Sequence, residues 1–169
     1  MYYIMDSKDS KNKHFLRYYK EFKDKIFTYF LYRVNFNKDI AEDLTSEVFI
    51  KAFNSFNSFD KTRSFQAWIY TIARNHLINH YRTANREIDL IRAEKVSHEF
   101  REKLEAELEL KEVLKKIERL APYHRDVLLL RFVDGLDNKE IAIVLEKEEG
   151  AIRTQISRAL AELRKILNF

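Results

Sequence analysis

The chain has 169 residues, of which 46% are hydrophobic and 34% charged, with a formal net charge of +4. Only 2 Gly and 1 Pro are present, too few for the turns of short-stranded β folds, which predicts an all-α fold. The absence of Cys excludes disulfides and thiolate metal sites. No segment resembles a signal peptide or a membrane span, so we expect a cytoplasmic protein without membrane insertion.

Three amphipathic helices are predicted in the first half. Apolar residues at steps of three and four indicate helices over about 11–34, 39–53 and 64–85. Asp39 is predicted to cap the second helix, with Glu42 closing a capping box. The inner stripe of the third helix is predicted to contain Phe65, Trp68, Ile69, Ile72, Ala73, Leu77 and Tyr81. Its outer face is predicted to carry Arg74, Asn75, Asn79, Arg82 and Arg86.

The middle of the chain differs from its flanks in charge. Residues 61–86 hold five basic and no acidic residues, 87–112 hold nine acids against five bases, and 150–169 hold four bases against one acid. Two basic segments separated by an acidic one favour two contacts with a polyanion. Helical patterning resumes near residue 99 and continues to 120. We therefore predict a domain over 1–86, a linker over 87–110 and a second domain over 111–169.

The second domain is predicted to contain a helix-turn-helix. A helix is predicted over 123–133, after Pro122. Asp134 and Gly135 end it, and Gly135 suits the left-handed position after a helix. Asp137 and Glu140 are predicted to form a capping box for a short helix, and a longer helix begins near Gly150. The outer face of that longer helix has small and basic side chains suited to the DNA major groove, Arg153, Thr154, Ser157 and Arg158.

Three segments in this order resemble the bacterial sigma factors, particularly the compact extracytoplasmic-function (ECF) subgroup. Their sequences are DIAEDLTSEVFIKAF at 39–53, FQAWIYTIARN at 65–75 and LAPYHRDV at 120–127, the last followed by Glu140-Ile141-Ala142 and Gly150-Ala151-Ile152. The resemblance implies a protein that binds core RNA polymerase and directs promoter-specific initiation. It also implies a first domain that melts promoter DNA and a second that binds the upstream promoter element.

The resemblance implies a polymerase contact in the first domain. The helix at 39–53 matches the family's segment that docks on the polymerase clamp. Its candidate contacts are acids at helical spacing and two apolar anchors, namely Asp39, Glu42, Asp43, Glu47, Phe49 and Phe53. The region 122–132 corresponds to the contact with the polymerase flap, and the acidic linker to the part that runs toward the RNA exit path. An anti-sigma protein is a further partner that the family suggests.

The resemblance also implies where promoter DNA binds. The loop at 54–64 matches the segment that captures an unstacked base, where Phe56 and Phe59 are more typical of a core. The residues expected at the downstream element and in melting are Lys61, Arg74, Asn75, Asn79, Arg82 and Arg86. Those expected at the upstream element are Arg153, Thr154, Ser157 and Arg158. The turn departs from the family pattern at Glu146 and Lys147, which leaves the promoter sequence open.

An enzyme is the first alternative function. His76 and His80 have a zinc-compatible spacing, but no Glu follows His76 as a metalloprotease motif requires, so we predict that both histidines are surface or nucleic-acid-facing residues. We also predict no metal, no cofactor, no catalytic residue and no small-molecule substrate. An operator-binding helix-turn-helix regulator that is not a polymerase subunit stays open as an alternative. A regulator that sequesters a sigma factor is a third, although it would lack the acid-free stretch at 61–86.

Overall fold

The computed structural model describes residues 3–88, 113 and 116–167, with side chains described over 11–83, 113 and 116–167. All regular secondary structure in these residues is helical, which confirms the all-α prediction. The predicted linker, apart from the backbone of its first two residues, and most of the helix expected over 99–120 lie outside the described residues. Within the described ranges, no helix combines the length and apolarity that a bilayer crossing requires.

The chain divides into two compact units with a boundary between Thr83 and Ala84. The first contains α1 (Tyr3–Arg33), α2 (Lys38–Ser55) and most of α3 (Phe65–Ile88), with a 3-10 helix (Phe56–Ser58) after α2. The second contains α4 (Pro122–Leu128), which continues as a π-helical turn (Leu129–Val133), most of α5 (Asn138–Leu145), and α6 (Glu149–Leu167).

The core of the first unit is rich in aromatic rings. Apolar side chains at helical spacing on each helix are buried together, including Ile26 and Phe30 of α1, Val48 of α2, and Ile69 and Tyr70 of α3. At one end Tyr18 stacks on Phe65, with ring centroids 3.9 Å apart. Burial of a large side chain contributes about 1.5–3 kcal/mol, so this core fixes the three helices against one another.

The start of α2 differs from the prediction. Asn37, not Asp39, is the N-cap: its side-chain oxygen accepts a hydrogen bond from the Ile40 amide at 3.1 Å. Asp39 lies inside the first helical turn, where a carboxylate still interacts favourably with the helix dipole. The predicted cap was wrong because Asn and Asp are equally good caps, and the side chain two residues earlier takes the position.

The inner stripe of α3 also differs in part. Ser64 caps the helix through a hydrogen bond from the Ala67 amide at 3.1 Å. Tyr70 is fully buried although the predicted stripe omitted it, whereas Tyr81, predicted to face inward, is 43% exposed. The Tyr81 hydroxyl instead donates to the carbonyl oxygen of Arg33 and so ties α3 to the end of α1.

The second unit is organised around the packing of α4 against α6. Pro122 is at the first helical position of α4, where its missing N–H costs nothing. Val127 of α4 and Ile152 of α6 are completely buried. The π-helical turn ends with the Asp134 amide bonded to the Leu129 carbonyl at 2.9 Å. Gly135 follows with φ +74°, which confirms the predicted left-handed residue after this helix.

The two helices of the predicted helix-turn-helix, α5 and α6, are joined by a tight turn. The capping box at the start of α5 is confirmed: the Glu140 amide donates to Asp137 Oδ1 at 2.8 Å, and the Asp137 amide donates to Glu140 Oε2 at 3.0 Å. At its end the Lys147 amide bonds to the Ala142 carbonyl at 2.9 Å, the pattern of a Schellman motif. That motif forces Glu146 to φ +54°, a conformation that favours glycine.

Replacing Glu146 with Gly is expected to stabilise α5 by about 0.5–1 kcal/mol. The relief of left-handed strain, about 1–2 kcal/mol, is partly offset by the greater freedom of glycine in the unfolded chain. Hydrogen exchange of the α5 amides measures the opening free energy. Glu146→Ala is the control, since it removes the same carboxylate but keeps Cβ. Equal opening free energies for the two variants would contradict the prediction.

Candidate nucleic-acid and protein interfaces

The first candidate surface is the acidic face of α2, formed by Asp39, Glu42, Asp43 and Glu47. All four side chains are exposed, whereas the opposite side of the helix is buried through Ala41, Leu44, Val48 and Ala52. The N-cap at Asn37 fixes where the helix begins and thereby the register of the acids. Four carboxylates on one exposed helix face suit a basic partner surface.

The two apolar anchors predicted beside the acidic face have different environments. Phe49 is 4% exposed and belongs to the core, with its ring edge-on to that of Tyr19 and the ring centroids 4.9 Å apart. Phe53 is 37% exposed and packs on Phe15, with the ring centroids 5.1 Å apart. Ile50, which the sequence interpretation missed, is 61% exposed and follows Asp43 by seven residues, two helical turns. This spacing alone could have identified it.

Buried aromatic rings and local hydrogen bonds both fix the conformation of the loop between α2 and α3. Phe56 and Phe59 are buried, which confirms that they belong to the core. The ring centroids of Phe59 and the half-buried Trp68 are 4.8 Å apart. Asp60 Oδ1 accepts from the Thr62 amide and hydroxyl at 3.0 and 2.7 Å, and these bonds lower the pKa of Asp60. The loop is therefore preformed, with its polar side chains outside.

The second candidate surface is the α3 face, formed by Asn75, Asn79 and Arg82. These three residues fall on one stripe of the helix and are exposed, whereas Arg74 at its side is half-buried. Lys61 is exposed in the preceding loop, and the side chain of Arg86 lies outside the described residues. Amides and cations without a carboxylate are typical of a surface that follows a phosphate backbone.

His76 does not lie on the surface as predicted, because α3 packs it against α2. It is 9% exposed; its Nδ1 lies 2.6 Å from Lys51 Nζ, and its Nε2 lies 2.8 Å from Glu47 Oε2. Burial and the Lys51 ammonium lower the pKa of His76 against the opposing effect of Glu47. Among the described side chains, no group of three or more His, Asp or Glu is arranged to hold a metal ion.

The third candidate surface is the α6 face, formed by Arg153, Thr154, Ser157 and Arg158. All four side chains are exposed, opposite the buried Ile152 and Ala159. The Thr154 hydroxyl donates to the Gly150 carbonyl at 3.0 Å, which leaves its oxygen as an acceptor. These residues occupy the first half of the helix, where recognition helices contact base edges.

A histidine from α4 fixes the rotation of α6. His124 Nδ1 lies 2.5 Å from Glu162 Oε2, and Nε2 lies 3.1 Å from Gln155 Oε1. Both partners are on the side of α6 that flanks its buried stripe. Because His124 holds α6 at two points, Gln155 and Glu162, the helix cannot rotate about its axis without breaking a contact. The α6 face is therefore presented outward in one orientation.

Comparisons with known proteins follow the same division into two units. The family model for Sigma-70 region 2 matches residues 18–87, and that for Sigma-70, region 4 matches residues 110–163. The first match contains the acidic face, the loop and the α3 face, and the second contains the α6 face.

The chain is also similar to curated and solved proteins. It is 34% identical over 159 residues to the ECF RNA polymerase sigma factor BldN of Streptomyces coelicolor, with 90% of this chain and 60% of that protein covered. It is 33% identical over 160 residues to the ECF RNA polymerase sigma factor SigW of Bacillus subtilis, with 86% and 84% covered.

A solved structure shows the same fold. It is the sigma factor RpoE of Bartonella quintana in complex with the anti-sigma factor NepR, with a TM-score of 0.75, 24% identity, and 92% of this chain and 98% of that one covered. The relatives are named polymerase sigma factors, which does not favour the operator-binding alternative. The chain therefore belongs to the ECF family of RNA polymerase sigma factors, which bind core polymerase and direct it to promoter DNA.

Proposed function

We propose that the acidic face of α2, with Ile50 and Phe53, is the surface that binds the clamp of core RNA polymerase. The exposed Ile50 carries this assignment, because a large apolar side chain beside carboxylates suits a protein interface better than free solvent. The acids at the edge supply charge complementarity, and the apolar side chains supply most of the binding energy. Phe49 supports the surface from inside the core.

The DNA contacts are divided between the two units in this proposal. Lys61 and the α3 face, together with Arg74 and Arg86, bind the downstream promoter element and the melted strand. The α6 face binds the upstream element in the major groove. Exposure of the three residues of the α3 face and of all four of the α6 face supports this division. The 122–132 region, with Phe132 62% exposed, contacts the polymerase flap.

We also propose domain bounds, a location and a regulatory partner for the protein. The first domain spans 1–86, the linker 87–110 and the second domain 111–169, bounds that the family-model matches at 18–87 and 110–163 support. The protein works in the cytoplasm beside the polymerase and catalyses no reaction itself. An anti-sigma protein controls it, as the complex of the Bartonella quintana relative with NepR suggests.

Run-off transcription with core RNA polymerase on genomic fragments tests the proposed function. We expect the purified chain to associate with core enzyme and to produce transcripts from defined start sites. The free chain is expected to bind promoter duplex weakly, unlike an operator-binding regulator. A chain that does not associate with core enzyme, or that dimerises and protects DNA unaided, would contradict the proposal.

A further inference from the structure

The contact between α2 and α3 contains an unusual arrangement of charged groups. Glu47 and Lys51 lie four residues apart on α2, with the acid nearer the N-terminus, the order that best supports a direct ion pair. In the structure the imidazole of His76, from α3, occupies the position between them. Its Nδ1 faces Lys51 Nζ at 2.6 Å and its Nε2 faces Glu47 Oε2 at 2.8 Å.

The chemistry of the two contacts fixes the state of the imidazole. The ammonium of Lys51 can only donate, so Nδ1 must be the acceptor and the proton must be on Nε2. The Nε2–H group is buried and close to the Glu47 carboxylate, although it does not point straight at the oxygen. A second proton on Nδ1 would face the Lys51 ammonium, in agreement with the lowered pKa of His76. The ring is neutral near pH 7.

We propose that His76 is a positioning residue for polymerase binding, which keeps Lys51 from pairing with Glu47 and holds that carboxylate toward the polymerase. The Glu47 side chain is 57% exposed although its Oε2 contacts the ring, so a partner can reach the carboxylate. A direct pair with Lys51 would cancel the charge that the partner recognises. The proposal rests on the proposed role of the acidic face.

The same residue links the two binding helices of the first unit. His76 directly follows Asn75 on α3, and its ring reaches α2 at the acidic face. Glu47 thus depends on a side chain from the promoter-facing helix as well as on its own helix. The proposal nevertheless concerns only the orientation of Glu47 and is tested by polymerase affinity.

The test uses the full chain and measures its dissociation constant for core RNA polymerase. His76→Leu removes both ring nitrogens at similar volume and allows Lys51 to reach Glu47. We expect it to weaken binding about fivefold, similar to Glu47→Gln, which corresponds to the upper range for an exposed ion pair. Adding Lys51→Met to His76→Leu should restore affinity to within about twofold of wild type, since no cation is left to neutralise Glu47.

His76→Gln is the conservative variant, because Gln offers both an acceptor and an N–H. It should bind core polymerase like wild type, and denaturant unfolding should show each variant to be folded. The positioning role is wrong if His76→Leu binds core polymerase like wild type. It is also wrong if adding Lys51→Met to His76→Leu fails to restore the affinity. If folded His76→Gln binds as weakly as His76→Leu, it is wrong as well.

The failure of the positioning role can be distinguished from failure of the proposed interface. If Glu47→Gln binds like wild type, Glu47 is not a polymerase contact, and the proposed interface fails at this residue. If Glu47→Gln binds core polymerase weakly while His76→Leu binds like wild type, the interface stands and the positioning role fails. The ring 15N chemical shifts of His76 give a readout without polymerase: the Nε2–H tautomer is expected, and an Nδ1–H tautomer would overturn the arrangement.

Discussion

Replacement of Arg158 with Ala is expected to reduce initiation at the cognate promoter by roughly 5- to 150-fold, or about 1–3 kcal/mol, without loss of core polymerase binding. Arg158 is exposed on the outward side of α6, held there by the contacts of His124. A guanidinium at this position can donate two parallel hydrogen bonds to guanine O6 and N7, and alanine leaves both acceptors unpaired. Reconstituted transcription on promoters randomised at the upstream element measures the effect.

Lys165→Ala is the matched control for Arg158→Ala. Lys165 is also a cation exposed on α6, but it lies in the last turn, away from the half that contacts bases. Its loss should weaken transcription from all promoters by a similar small factor and should reduce the salt dependence, with no change in the preference among promoters. If Arg158→Ala behaves in the same way, with unchanged preference among randomised promoters, Arg158 is a phosphate contact and the base contact is excluded.

Replacement of Ile50 with Ala is expected to weaken binding to core RNA polymerase by roughly 5- to 30-fold, or about 1–2 kcal/mol. Ile50 is 61% exposed in the free protein, so its truncation leaves no cavity in the core and should not change the unfolding free energy. In the complex the same side chain is buried and contributes its apolar area. A fluorescence competition assay with core enzyme measures the affinity.

Ile78→Ala is the matched control for Ile50→Ala. Ile78 is 48% exposed in the same unit but lies on α3 and outside the acidic face. Its truncation removes the same number of carbon atoms and should leave polymerase affinity within about twofold of wild type. Equal losses for the two variants would indicate a general effect of surface truncation and would remove Ile50 from the interface.

The sequence was sufficient wherever structure depends on neighbours along the chain. The helices follow from the spacing of apolar residues and the near absence of Gly and Pro. The capping box of Asp137 and Glu140 and the left-handed Gly135 were predicted correctly, because both are set by bonds within a few residues. Local signals failed where two candidates compete, as Asn37 and Asp39 did for the cap of α2.

The outward surfaces were only partly predictable. The acids of α2 and the Arg and Asn side chains of α3 and α6 are polar residues on an amphipathic helix, and periodicity places such residues outside. At the edge of a stripe, periodicity cannot say which apolar residue is buried. Phe49 and Ile50 are neighbours in sequence, yet the rings of α1 cover Phe49 and leave Ile50 exposed.

The sequence by itself determined the all-helical class and the faces that carry acids and cations, since these depend on composition and local periodicity, and its motifs carried the resemblance to the sigma factors. Only the tertiary structure decided that His76 lies between Glu47 and Lys51, and that His124 fixes the rotation of α6. These contacts join residues 25 to 38 positions apart. Such pairs form because buried helices bring them together, and no local pattern in the chain encodes that proximity.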